Sequence, residues 1–296
     1  MRVTQPLIRN LQQIPDNIAS IDGSRNRSWR EMVDRVSRLA AGLQSMNLAK
    51  GDRIGILALN SDRYMELLFS VPWAGGIVVP LNHRWSPPEI AFAIEDSDTR
   101  ILCVDNAFED VAREVVKEIK HEIRIIGIDG PLDLSQAHVE ELIKNNGACA
   151  ENLGDQDDVS GIFYTGGTTG RSKGVMLTHA NHVSNTLQFL SIIDMSEDST
   201  YLHAAPMFHI ADALYVYMVT HIGGKHVFIP RFEPESCARA IEDNQISDVI
   251  LVPTMIQMLL EQPNFEQFDF SSLKRLYYGA SPMPEAVAHD LIQKFP

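Results

Sequence analysis

The chain is 296 residues long, 45% hydrophobic and 22% charged, with a formal net charge of -14 at neutral pH, so it can bury a sizeable core as one large domain or two smaller ones. That charge argues against nucleic acid as a partner, because the protein surface would repel its phosphates. Cys103, Cys149 and Cys237 lack metal-ligand or redox spacing, the N-terminal MRVTQPLIRNLQQIP has no signal-peptide apolar core, and the longest uncharged run is broken by Pro72, Gly75, Gly76 and Pro80. A cytoplasmic protein without a membrane span is the expectation.

In chain order, Ser28 and Glu31 make a Ser-x-x-Glu capping box before Trp29, Met32, Val33, Val36, Leu39, Ala40 and Leu43 at helical spacing. RIGILAL (53–59) reads as a buried strand, Asp62 starts a helix through about Trp73, and GIVVP (76–80) is the next strand. Ser86, Pro87 and Glu89 repeat the helix-start signal. Then come strand RILCVD, a helix near 107–120, strand IRIIGID and a helix near 134–145. The unpatterned NNGACAENLGDQDD (145–158) reads as a linker, dividing a first α/β subdomain (1–150) from a second (151–296).

Beyond it the pattern resumes with strand SGIFYT, a glycine-rich loop and a helix over about 181–190. Strand TYLHAA, a helix near 211–221, strand KHVFIP and a helix near 235–244 follow, then strand SDVILVP, a helix near 254–261, strand KRLYYGA and a last helix from Pro284. The fold class expected is α/β: repeated βα units forming parallel-rich sheets flanked by helices. Met255, Met258 and Leu259 are assigned to the core. His179 and His182, at i and i+3, are read as solvated histidines at a helix start, since no nearby acid or cysteine completes a metal site.

The loop YTGGTTGRSKG (164–174) leaves the carboxyl end of a strand, where open α/β sheets place ligands. Its glycines let backbone N–H groups approach an anion, while hydroxyls and Lys173 can close around the same charge, and phosphate is the natural candidate. It fits neither a Walker loop nor a Gly-x-Gly-x-x-Gly dinucleotide fingerprint.

The loop instead resembles the phosphate loop of the adenylate-forming enzymes: acyl-CoA synthetases, luciferases and peptide-synthetase adenylation domains. APMFHI (205–210), YYGASPMP (277–284) and the segment from Gly51 to Asn82 resemble the same family in order and spacing, most closely its acid:CoA ligases. The resemblance implies an N-terminal portion that activates a carboxylic acid with ATP to acyl-AMP and then forms acyl-CoA. It places Thr165, Gly166, Gly167, Thr168, Thr169, Gly170 and Lys173 around ATP, with Mg2+ held through the ATP phosphates. Gly279, Ala280 and Ser281 lie against the adenine, and His209 beside the carboxyl group. Arg231 in PRFEPE is assigned to CoA, with a surface salt bridge as the alternative, and a packed histidine beside Phe208 is the alternative for His209. Lys173 and His209 carry the catalytic assignment.

The apolar ALYVYMV suits a fatty or other hydrophobic acid. Asp212 keeps an amino-acid adenylation domain open, and a non-catalytic remnant binding nucleotide or a partner is the other alternative. The chain stops at Pro296, ahead of the family's Tyr-x-x-Thr-Glu segment, ribose aspartate and C-terminal lysine domain. These residues alone are therefore not expected to complete a catalytic cycle, and the KRLYYGA strand is expected to offer an edge for self-association.

Overall fold

Strand and helix alternate through the computed structural model, which describes residues 1–166, 171–279 and 281–295. The chain opens on α1 (Gln5–Gln13) and a hairpin of β1 (Ile18–Asp22) and β2 (Arg25–Ser28), turned at Gly23 with a φ of +57° that glycine accepts without strain. Ser28 then starts α2 (Trp29–Ser45). Its side chain accepts from the Glu31 N–H and the Glu31 carboxylate accepts from the Ser28 N–H, which is the reciprocal cap expected from the sequence.

There follow β3 (Arg53–Leu57), α3 (Asp62–Trp73), β4 (Ile77–Pro80), α4 (Pro87–Asp96), β5 (Thr99–Val104), α5 (Glu109–Glu118), β6 (Arg124–Gly127), β7 (Ala137–His138) and α6 (Val139–Asn145). Residues 146–158 hold no helix or strand, yet they are tied down: the Asn152 N–H donates to the Trp73 carbonyl at 2.8 Å. The second half runs β8 (Val159–Thr165), β9 (Lys173–Thr178), α7 (His179–Leu190), β10 (Thr200–His203), α8 (Ile210–Ile222), β11 (Lys225–Phe228), α9 (Pro234–Asn244), β12 (Asp248–Leu251), α10 (Pro253–Leu260), β13 (Arg275–Tyr278) and α11 (Glu285–Lys294).

Two sheets result. One has the order β7-β6-β5-β3-β4-β8-β9, the other β13-β12-β10-β11-β1-β2. Every pairing is parallel except β8 with β9 and β1 with β2. The central strands, such as β3, β5 and β10, are short runs of mostly buried residues, as parallel sheets covered on both faces require. A buried cluster joins α2 and α3 to residues of both sheets, Ala19, Ile54 and Phe228 among them, so the sheets share one core across these helices. Strands cross residue 150 in both directions: β8 and β9 complete the first sheet, while β1 and β2 complete the second.

The structure differs from the expectations at several elements. α1, β1, β2 and β7 are additional, and α6 begins at Val139 rather than near 134 because Ala137 and His138 pair with β6. After the glycine loop the chain forms β9 before α7, whose cap is Thr178 rather than a residue near 181. Met255 and Leu259 are buried, but Met258 is 50% exposed. Among the described residues no helix is long and apolar enough to cross a membrane.

Candidate active site

The glycine-rich segment links β8 to β9, which pair antiparallel. In the last ladder pair Thr165 faces Lys173, which sets a hydroxyl and an ammonium on one face at the loop's base. Both residues and Gly166 are exposed, and among the described residues no atom lies within 4 Å of where a Gly166 Cβ would stand. Gly174 is different: a Cβ there would come within 2.8 Å of Ile162 and 3.1 Å of the Tyr164 ring, so this glycine serves the packing of the hairpin. Gly167, Thr168, Thr169 and Gly170 lie outside the described residues, as does Ala280.

The hairpin is braced by α4. The Tyr164 hydroxyl lies 2.7 Å from an Asp96 carboxylate oxygen and 3.0 Å from the Ala93 carbonyl. The Arg171 guanidinium sits 5.1 Å over the Phe92 ring, and Trp85 meets Tyr164 edge-on. Tyr164 and Arg171 belong to the loop motif, but Trp85, Phe92, Ala93 and Asp96 were not picked out from the sequence. Phe92 and Asp96 share a helix face at i and i+4, but nothing local ties them to a hairpin some 70 positions away.

His209 stands at the N-cap of α8, exposed, with its Nδ1 accepting from the Ala211 N–H at 3.3 Å. Partial desolvation lowers its pKa from the ordinary histidine value. Asn60, just past β3, holds the preceding segment: its amide donates to the carbonyls of His203 and Ala205, and its oxygen accepts from the Met207 N–H at 2.9 Å.

Beside this helix start a cavity of about 420 Å3 opens between α7, α8, β12 and β13, lined by Phe189, Leu214, Tyr215, Ile250, Tyr277 and Gly279 among others. The cavity brings the first turns of the His209 helix and residues 277–279 to one place. Among the described residues no atom lies within 4 Å of where a Gly279 Cβ would stand, and Ser281 is exposed.

Arg231 is exposed past the end of β11, where its charge acts on His83 and Asp105. Among the described residues it makes no ion pair, so the salt-bridge alternative has no contact behind it. His83 stacks on Phe108 and meets Phe208, the neighbour of His209, edge-on at 5.0 Å. Burial, with Arg84 and Arg231 nearby, pushes the His83 imidazole down to about 4.

Three further residues correct the sequence reading. Asp212 is fully buried, and both its carboxylate oxygens are engaged, by Tyr201 at 3.1 Å and His203 at 2.7 Å, so neither is free for a substrate amino group. His179 and His182 are buried rather than solvated, because α7 starts two residues earlier than expected and turns both onto its packed face. Burial pushes each down to about 4. Among the described residues no three His, Cys, Asp or Glu side chains converge as metal ligands.

Residues 7–296 match the family model described as "AMP-binding enzyme", and the chain belongs to that family. It is 32% identical over 252 residues to a 2-succinylbenzoate–CoA ligase of Arabidopsis thaliana, covering 82% of this chain and 45% of that protein. A feruloyl-CoA synthase of an Amycolatopsis species is 33% identical over 283 residues, covering 95% and 55%. Among solved structures, an anthranilate CoA ligase in complex with anthranoyl-AMP superposes with a TM-score of 0.94 at 19% identity, over 100% of this chain and 58% of that one. The chain thus shares the fold of that solved structure over the matched part, and it spans about half the length of the curated relatives it matches.

Proposed function

We propose that this chain is the acid- and phosphate-binding part of an ATP-dependent acid–CoA ligase. The observation that carries the reading is the apolar cavity joining the His209 helix start to Gly279. Lacking a side chain, Gly279 suits an adenine approaching the backbone and Gly166 a phosphate.

In the proposed reaction a carboxylate oxygen attacks the α-phosphorus of ATP, and the bond to pyrophosphate breaks. The sulfur of CoA, its proton lost to solvent, then attacks the acyl carbon and AMP leaves with the bonding pair. The Lys173 ammonium, the Thr165 hydroxyl and the loop amides stabilise negative charge on the phosphates. His209 accepts from Ala211 at Nδ1, so the neutral ring carries its proton on Nε2 and can donate to the acid. Magnesium would be carried by the phosphates, whose oxygens are the hard donors it prefers. Arg231, with His83 nearby, is proposed to meet the phosphates of CoA.

The cavity wall combines aliphatic side chains with the rings of Phe189, Tyr215 and Tyr277. Flat rings of this kind favour an aryl or similarly hydrophobic acid. Relatives named for ferulate and succinylbenzoate agree with that class. The free cysteines, with Cys103 and Cys237 buried, fit the cytoplasm proposed for the protein.

Calorimetry with a non-hydrolysable cinnamoyl-adenylate analogue tests the proposal. One-site binding, tighter than that of the acetyl analogue, is expected. No binding of either analogue would reject it.

A further inference from the structure

Asp212 lies in the first turn of α8, three residues after His209, and it begins a chain of buried hydrogen bonds. Its Oδ1 accepts from the Tyr201 hydroxyl and its Oδ2 lies 2.7 Å from Nδ1 of His203. His203 Nε2 is 3.0 Å from His226 Nδ1, and His226 Nε2 is 3.1 Å from the Thr220 hydroxyl. Thr220 belongs to the last turn of α8, so the chain leaves the helix near its start, crosses β10 and β11, and returns near its end. Tyr201, His203, Asp212, Thr220 and His226 are all 0% exposed.

One proton arrangement satisfies every member with both rings neutral. His203 donates from Nδ1 to the carboxylate, His226 donates from Nδ1 to His203, and the Thr220 hydroxyl donates to His226. Burial holds the His226 pKa well below its ordinary value, in keeping with a neutral ring. The rings are also packed: His203 stacks on Phe228 at 4.8 Å, and Tyr201 stacks at 4.6 Å on Tyr215, which lines the cavity.

Between these anchors α8 is apolar, with Ala213, Leu214, Val216, Met218 and Val219 buried. Apolar packing is non-directional and by itself sets a helix's axial position loosely. A slip or turn of α8 by one residue would strip donors from a buried carboxylate, which is costly. His209 moves with the helix, since its carbonyl accepts from the N–H groups of Asp212 and Ala213.

We propose that Asp212 is a positioning residue: through Tyr201 and His203 it fixes the register of α8, and so fixes where His209 and Tyr215 stand at the cavity. The inference rests on the proposed acid site for its functional meaning but not for its test.

NMR titration of the chain with isotope-labelled histidines, together with binding of the cinnamoyl-adenylate analogue, supplies that test. Asp212→Asn should move the His209 titration up toward that of a solvated histidine and weaken analogue binding several-fold, while His182 on α7 keeps its own low midpoint. Tyr201→Phe, which retains the stack on Tyr215 and removes one donor, should shift His209 in the same direction by less. It decides alone if Asp212→Asn does not fold. A lowered melting temperature with the His209 titration unmoved in the folded variants would overturn the proposal. Absence of analogue binding by the unsubstituted chain would instead count against the functional reading, and the His209 titration would still report on the register.

Discussion

Lys173 opens β9 directly opposite Thr165, at the base of the glycine-rich segment. If the loop holds phosphate, Lys173→Ala removes one charge-assisted contact and should cost nucleotide binding about 1.5–3 kcal/mol by calorimetry. Unchanged affinity would reassign the loop. His209 is both a helix cap and a candidate acid ligand, and one substitution separates these roles. Asparagine is a favourable N-cap, so His209→Asn should hold thermal stability within about 1 kcal/mol of the parent while weakening the acyl-adenylate analogue. Parallel loss of stability and binding would mean that the ring matters only for packing.

At the scale of elements, β13 is the end strand of its sheet among the described residues, paired on one side with β12, and Tyr278 there is 56% exposed. Such an edge presents unpaired backbone groups beside an apolar ring. Sedimentation velocity should show concentration-dependent self-association that Tyr278→Lys reduces, whereas a monomer at every concentration would contradict this. The elements most legible in sequence were those with local signals: the Ser28 and Ser86 capping boxes gave α2 and α4 their starts, and short apolar runs gave β3, β5 and β10. β9 was hidden because its residues follow a glycine loop and pair with β8 only once that loop turns, so the strand depends on a partner and not on its own pattern. β1 and β2 are similar, since polar Arg25 and Arg27 face acids on α3. At the site, Lys173 and His209 stood in recognisable motifs. The Asp96–Tyr164 brace joins segments 68 positions apart, and the Asp212–His203–His226 chain joins a helix to two strands whose pairing no local pattern reveals.

Across the whole molecule, buried titratable groups set how stability responds to pH, and they pull in opposite directions. Asp22 is raised from 3.8 to about 6, by burial first and then by the charge of Asp62. A raised carboxyl contributes stability that is present below pH 3.8 and is lost as pH rises through about 6. His83, His179 and His182 are each lowered from 6.5 to about 4, with burial the leading cause. A lowered histidine contributes stability that is present above pH 6.5 and is lost as pH falls through about 4. Burial lowers His209, His221 and His226 as well and raises Glu66 and Asp105 beside Asp22, so six lowered histidines stand against three raised carboxyls and prevail. Denaturant melts between pH 4.5 and 7, a range set by roughly these midpoints, should therefore show stability rising with pH. Asp22→Asn removes one of the opposing groups, since burial also raises the carboxyls of Glu66 and Asp105, and should steepen the rise, while His182→Gln should make it shallower whatever it does to absolute stability, because the slope reports protons taken up and not packing. A flat profile, or one that Asp22→Asn makes shallower, would show that these side chains do not hold their protons as their burial requires.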